Sequence, residues 1–221
     1  MVSVPSEPQK SPKTPPPSVP IPSLKKAIAF VNAQESLSTE MLFKTLLVYY
    51  KPNQGRFATP RDPQFLAEAI KKGASSQVPV SAETQLNISS AIMISQFGTR
   101  IPPEVALAIA AKIDTFTDTD AQRNISAAIL GGKFGNPIPQ DVALALAAKL
   151  GTFTDPEAQL NIYRAIRSGR FGDPMPKDVA LAIAAKLGTF TDPKARRNIA
   201  WAICYGKFGN PIRDDVALAI A

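Results

Sequence analysis

Few side chains in this chain could do covalent chemistry. Histidine is absent and Cys204 is the single cysteine. That excludes a His-based catalytic triad, a Cys/His zinc site and a disulfide within the chain. Cys204 has Arg196 and Arg197 upstream, but without an imidazole to take its proton it reads as an incidental thiol rather than a nucleophile. Asp118, Asp155 and Asp192 recur in one setting, two of them followed by proline, which is the pattern of helix N-caps and not of an acid–base pair. Gly131-Gly132-Lys133 lacks the spacing of a phosphate-binding loop. Asn87-Ile88-Ser89 and Asn124-Ile125-Ser126 match a glycosylation sequon inside predicted helices. The expectation is a protein with no catalytic residues, no metal and no cofactor. What is left is recognition, carried by Trp201, Tyr205, Tyr163, Arg164 and Arg167, types that dominate binding hot spots.

The elements that place those residues form a repeat. FGTRIPPEVALAIAAKIDTFTDTDAQRNISAAILGGK starts at Phe97, and close copies start at Phe134 and Phe171, a period of 37 residues. A fourth copy, FGNPIRDDVALAIA, runs from Phe208 to Ala221. A degenerate copy spans about residues 57–96, with about three residues inserted near Ser75 and Ser76, and a weaker one spans about residues 21–56. The unit boundaries are therefore 21–56, 57–96, 97–133, 134–170, 171–207 and a partial 208–221. Each unit reads as two helices. The first opens at a proline with acids in its first turn, as at Pro139-Gln140-Asp141, and VALALAAKL runs to a stop at Gly151. The second has Asp155 as N-cap and Pro156 as first helical residue, and ends near Gly169. One such pair cannot bury its apolar face alone, so stacked copies predict an all-α fold, a right-handed α-solenoid. Phe116, Phe153 and Phe190, with Phe97, Phe134, Phe171 and Phe208, are the expected packing anchors.

Comparing copies separates a fixed face from a changing one. The first helix barely varies and is apolar nearly all round, which predicts a helix sandwiched between neighbours. In the second, Asn124-Ile125, Asn161-Ile162 and Asn198-Ile199 are kept, as are Ala128-Ile129, Ala165-Ile166 and Ala202-Ile203. The changing positions are Ser126, Ala127, Leu130 and Gly131; then Tyr163, Arg164, Arg167 and Ser168; then Ala200, Trp201, Cys204 and Tyr205. Ser89, Ser90, Met93 and Ile94 match them in the degenerate copy. At about 100° per residue these four cover roughly 140°, opposite the kept Ile, Ala and Ile. That sector is the expected partner-binding face.

Residues 1–20 hold seven prolines among Ser and Lys, so a disordered leader is expected, with PxxP matches at Pro12-Lys13-Thr14-Pro15 and Pro17-Ser18-Val19-Pro20. Lys and Arg exceed Asp and Glu by 25 to 18. The excess sits in residues 1–56 and in 171–207, with the units between near neutral. Lys112, Lys149 and Lys186 recur at one place, and Lys133, Arg170 and Lys207 at another. Such ladders could track a phosphate backbone, but both fall at helix C-termini, where any helix favours a cation. No apolar run approaches the roughly 20 residues of a membrane span, and no secretory signal is visible. One unpaired cysteine fits a reducing compartment, cytoplasmic or inside a host cell.

Gln122 to Gly135, with Gln-x-Asn-Ile followed by Lys-Phe-Gly, resembles the octotricopeptide and heptatricopeptide RNA-binding repeats, and also the repeat-bearing effectors of plant-pathogenic bacteria. The likeness covers the repeats only. It departs from those families in having Trp201 as the one tryptophan, so no residue role is carried over. The expected function is a non-enzymatic repeat scaffold that binds a protein or peptide. A modular RNA- or DNA-binding array and an accessory domain of a longer enzyme are the alternatives. The last copy stops at Ala221 without a polar cap, so the expectation is either a fragment of a longer array or, for a full-length chain, dimerisation through the apolar edge of Val216, Leu218 and Ile220.

Overall fold

The computed structural model describes residues 24–49, 63–73, 80–97, 99–189 and 192–220. The Pro-rich leader, the insertion near Ser75 and Ser76, and Phe190 lie outside the described residues. The chain is all-α. Its helices are α1 Leu24–Ala33, α2 Thr39–Tyr49, α3 Pro63–Lys72, α4 Ala82–Met93, α5 Pro103–Ala110, α6 Thr119–Leu130, α7 Gln140–Lys149, α8 Pro156–Arg167, α9 Lys177–Ala184, α10 Pro193–Cys204 and α11 Asp214–Ile220. Among the described residues there is no strand.

Local chemistry sets each boundary. The side chains of Asp118, Asp155 and Asp192 accept from the backbone N–H of Ala121, Ala158 and Ala195, each at 2.9 Å. These are the N-caps of α6, α8 and α10, and Pro156 and Pro193 occupy the first turn, where a missing N–H costs nothing. The first helices depart from expectation at both ends. Pro102, Pro139 and Pro176 are themselves the N-cap residues, so α7 begins one residue later, at Gln140. Gly151 is not a left-handed stop. It lies in a 3-10 turn, Leu150–Thr152, that tightens the end of α7. The hydroxyls of Thr115, Thr152 and Thr189 each donate to the carbonyl three residues back at 2.7 Å. They satisfy end carbonyls that a Schellman glycine would otherwise serve.

Like helices pack on like. The second helices contact one another in the order α2, α4, α6, α8, α10, and the first helices in the order α1, α3, α5, α7, α9, α11. Apolar columns at the repeat spacing fill the space between: Val105, Val142, Val179 and Val216 are fully buried, with Ile109, Leu146 and Ile183 beside them. Phe97, Phe134, Phe171 and Phe208 are buried, as are Phe116 and Phe153. The Ile101 and Ile138 N–H groups donate to the carbonyls of Lys133 and Arg170 at 2.8 Å, and Met175 N–H to that of Lys207 at 2.9 Å, so each pair is closed at its end. The first helices are not covered all round, because Leu107 and Leu144 point to solvent.

The Phe-Gly pair has a steric reason. Gly135 sits at φ +132°, and a Cβ there would lie 2.7 Å from the Pro137 carbonyl oxygen and 2.8 Å from Pro139 Cδ. Gly172 repeats this against Pro176 Cδ at 2.8 Å. Gly188 has nothing within 4 Å of its added Cβ and no positive φ. Urea denaturation of Gly135→Ala is therefore expected to show a loss of about 2–4 kcal/mol, while Gly188→Ala stays within about 1 kcal/mol of the parent, on the stabilising side.

Candidate interaction surface

The sector that changes between copies is split by the packing. Ser89, Ser126 and Tyr163 are fully buried and are not on a surface, contrary to the helical-wheel expectation. They form the column that faces the next second helix. The Asn124 amide donates to Ser90 Oγ at 3.2 Å and to Ser89 Oγ at 3.4 Å, and the Asn161 amide to Ser126 Oγ at 3.4 Å. Tyr163 fills the same column one copy later, where burial pushes its hydroxyl well above the ordinary tyrosine range, with Asp192 adding to the rise. Ala200, the fourth member, is exposed.

The other expected residues lie further round. Ser90, Ala127 and Leu130 are half-buried, while Arg164, Arg167 and Cys204 are exposed. Met93 and Ile94 are 41% and 69% exposed at the end of α4, and Trp201 and Tyr205 are 46% and 59% exposed on α10. The last two stack with centroids 3.9 Å apart and planes 17° from parallel. The Arg167 guanidinium lies 5.4 Å from the Trp201 ring centroid and donates to Asn198 Oδ1 at 3.1 Å. The cation–π contact and the hydrogen bond both restrain the Arg167 side chain, and restraint before binding lowers the entropy cost of an interface. Arg164, one turn earlier on α8, lies 3.8 Å from Glu157.

What holds α6 and α8 in register is a buried amide ladder that the changing positions do not reveal. Gln122 Oε1 accepts from the backbone N–H of Thr154 at 3.0 Å and of Asp155 at 3.1 Å, at the start of α8. Its Nε2 donates to the Phe116 carbonyl at 2.8 Å. Gln85 does the same one copy earlier, accepting from Thr117 and Asp118 and donating to the Val80 carbonyl. Gln159 donates to the Phe153 carbonyl. The signal was present in the sequence, since Gln85, Gln122 and Gln159 are 37 residues apart. Arg196 takes the next place in that column.

Ion pairs reinforce the ladder. Arg123 reaches across to Asp155 with Nε–Oδ1 at 3.1 Å and Nη2–Oδ2 at 2.8 Å. Burial pushes the Asp155 carboxyl up, but the Arg123 hydrogen bonds and the Ala158 N–H outweigh it and hold the group below the ordinary aspartate range. The recurring cations are used in the same way. Lys133 donates to Ser95 Oγ, Arg170 to the Leu130 carbonyl at 2.8 Å, Lys207 to Asp173, and Lys149 to Asp114 at 2.6 Å. Among the described residues no group of His, Cys, Asp and Glu is placed to hold a metal, and no helix is long and apolar enough to cross a membrane.

No protein-family model, curated protein or solved structure matches this chain.

Two outcomes follow for the ladder. Gln122→Ala strands two N–H groups and a carbonyl, so urea denaturation should show a loss of about 2–4 kcal/mol. The Asp155 contribution is complete above an unfolded aspartate pKa of about 3.9 and is lost as pH falls through its lowered folded value. Asp155→Asn should therefore lose stability at pH 7 yet fall less steeply between pH 5 and pH 2 than the parent, read from urea midpoints across that range.

Proposed function

We propose that this chain is an α-solenoid scaffold without catalytic activity, and that it binds a protein or peptide through the outward side chains of α8 and α10. The separate like-on-like contacts of the first and second helices, together with the 37-residue period, support the solenoid reading. The observation that carries the binding reading is the Trp201–Tyr205 stack under Arg167. Trp201 and Tyr205 are the two large aromatics left exposed among the described residues, while Phe97, Phe116, Phe134, Phe153, Phe171 and Phe208 serve the core. Aromatic and arginine side chains held rigid at a surface are the anchors that interfaces use.

Nucleic acid is the weaker reading. Tracking a phosphate backbone needs cations available along the array, and Lys133, Lys149, Arg170 and Lys207 are engaged between copies.

The test is affinity capture with the full chain, using nuclease-treated extract, followed by titration of the captured partner. Trp201→Ala with Tyr205→Ala should abolish capture while shifting the urea midpoint by no more than about 1 kcal/mol equivalent. Capture that survives the double variant refutes the surface. Capture that vanishes with nuclease and weakens more than a hundredfold between about 50 and 200 mM salt moves the ligand to nucleic acid.

A further inference from the structure

The outward columns of the second helices change chemistry from repeat to repeat. On α6 they hold Ala127 and Leu130, both half-buried. On α8 they hold Arg164 and Arg167, and on α10 Trp201 and Tyr205, all four exposed. Apolar, basic and aromatic side chains thus stand in sequence on three helices that pack side by side. Arg164 and Ser168 stay exposed with α10 packed on α8, and Gly131 stays exposed with α8 packed on α6. Trp201 and Tyr205 occupy those same two columns. Their exposure is therefore a property of the columns, shared by repeats that have a following helix.

The polar groups on this track are mostly donors. A guanidinium and an indole N–H only donate, and the Tyr205 hydroxyl serves either way. Arg164 and Arg167 lie one turn apart on α8, near enough to meet one acidic side chain together. Among the described residues one carboxylate approaches them, that of Glu157, 3.8 Å from Arg164. Both members of that pair are open to water, where such a contact is weak and yields to a ligand carboxylate. Arg167 spends one of its nitrogens on Asn198 Oδ1 and has further donors on the same fork. No acid occupies Ala127, Leu130, Trp201 or Tyr205, the positions to either side.

Spacing says how a ligand would lie. Packed helices stand about 8–10 Å apart. A polyproline II segment turns once every three residues and advances about 9 Å as it does so. Every third side chain of such a segment would face the track at the pitch of the helices. We propose that this track binds an extended acidic peptide laid across α6, α8 and α10. Asp or Glu sits on Arg164 and Arg167, with an apolar residue three positions to each side, one over Leu130 and one against Trp201 and Tyr205. The proposal deepens the recognition surface described above and rests on it. A nucleic-acid strand fits less well, because it asks for a cation on every repeat and α6 places none on this track. The chain's own Pro-rich leader does not carry the pattern: its one acid, Glu7, has Val4 three residues before it but Lys10 three after.

The probe is a display library of random peptides of about 12 residues, long enough to cross three helices, selected on the immobilised full chain. Enriched peptides are then synthesised and titrated by anisotropy. Enrichment of Asp or Glu with apolar residues three positions away on both sides is expected. Arg164→Gln with Arg167→Gln should weaken those peptides about tenfold or more, and moving the acid by one position within the peptide should cost as much. Circular dichroism and urea midpoints confirm that each variant is folded. Selection that yields no acid-centred pattern overturns the proposal. Peptides that need Trp201 and Tyr205 but ignore the loss of both arginines overturn it and leave the aromatic surface standing. Peptides indifferent to both pairs refute the two readings together. Displacement of the peptides by a single-stranded oligonucleotide of the same length, at lower concentration than the peptides themselves require, assigns the track to nucleic acid and overturns the proposal.

Discussion

A buried amide joins one repeat of this chain to the next. Gln122 spends its carbonyl on the first two N–H groups of the segment leading into α8 and its NH₂ on the loop of its own copy. A helix start has N–H groups with no intrahelical partner, and the preceding copy supplies acceptors for the residues that lead into it. The Arg123–Asp155 pair adds a second grip on the same turn, with the capping carboxylate shared between its own helix and the neighbouring guanidinium. Placement of α6 and α8 therefore depends on the repeat before each.

The helix pairs were legible from residue types alone because their stop and start signals are local. Aspartate N-caps and prolines act within one turn, and the 37-residue period tied each copy to the next. The first-helix C-termini were misread for the opposite reason. Gly151 looks like a terminator in isolation, but Thr152 offers its hydroxyl to the Lys149 carbonyl and a 3-10 turn results. The glutamine ladder is harder to read from sequence, because Gln85, Gln122 and Gln159 are the same in three repeats and the backbone groups they bind lie more than 30 residues away.

The recognition face was half legible. Period arithmetic places four changing residues on one sector, and it knows nothing of where the neighbouring helix crosses. The sector's edge at Ser89, Ser126 and Tyr163 lies under that neighbour. Variation there adjusts helix-to-helix contact, serine accepting an asparagine amide in two copies and tyrosine filling the space in the third. Trp201, Tyr205, Arg164 and Arg167 lie beyond the edge and remain outside. A changing position in a repeat can thus mean either a refitted seam or a differing surface, and burial separates the two.

The aromatic stack has one more consequence. Trp201 is the sole tryptophan of the chain, so the protein's intrinsic indole emission originates entirely at that patch, with Tyr205 and Arg167 as its immediate surroundings. Cys204, the sole thiol, is exposed on the same helix. The molecule thus carries a native optical reporter and a unique attachment point for a dye side by side, and events at that spot can be followed spectroscopically without altering any other part of it.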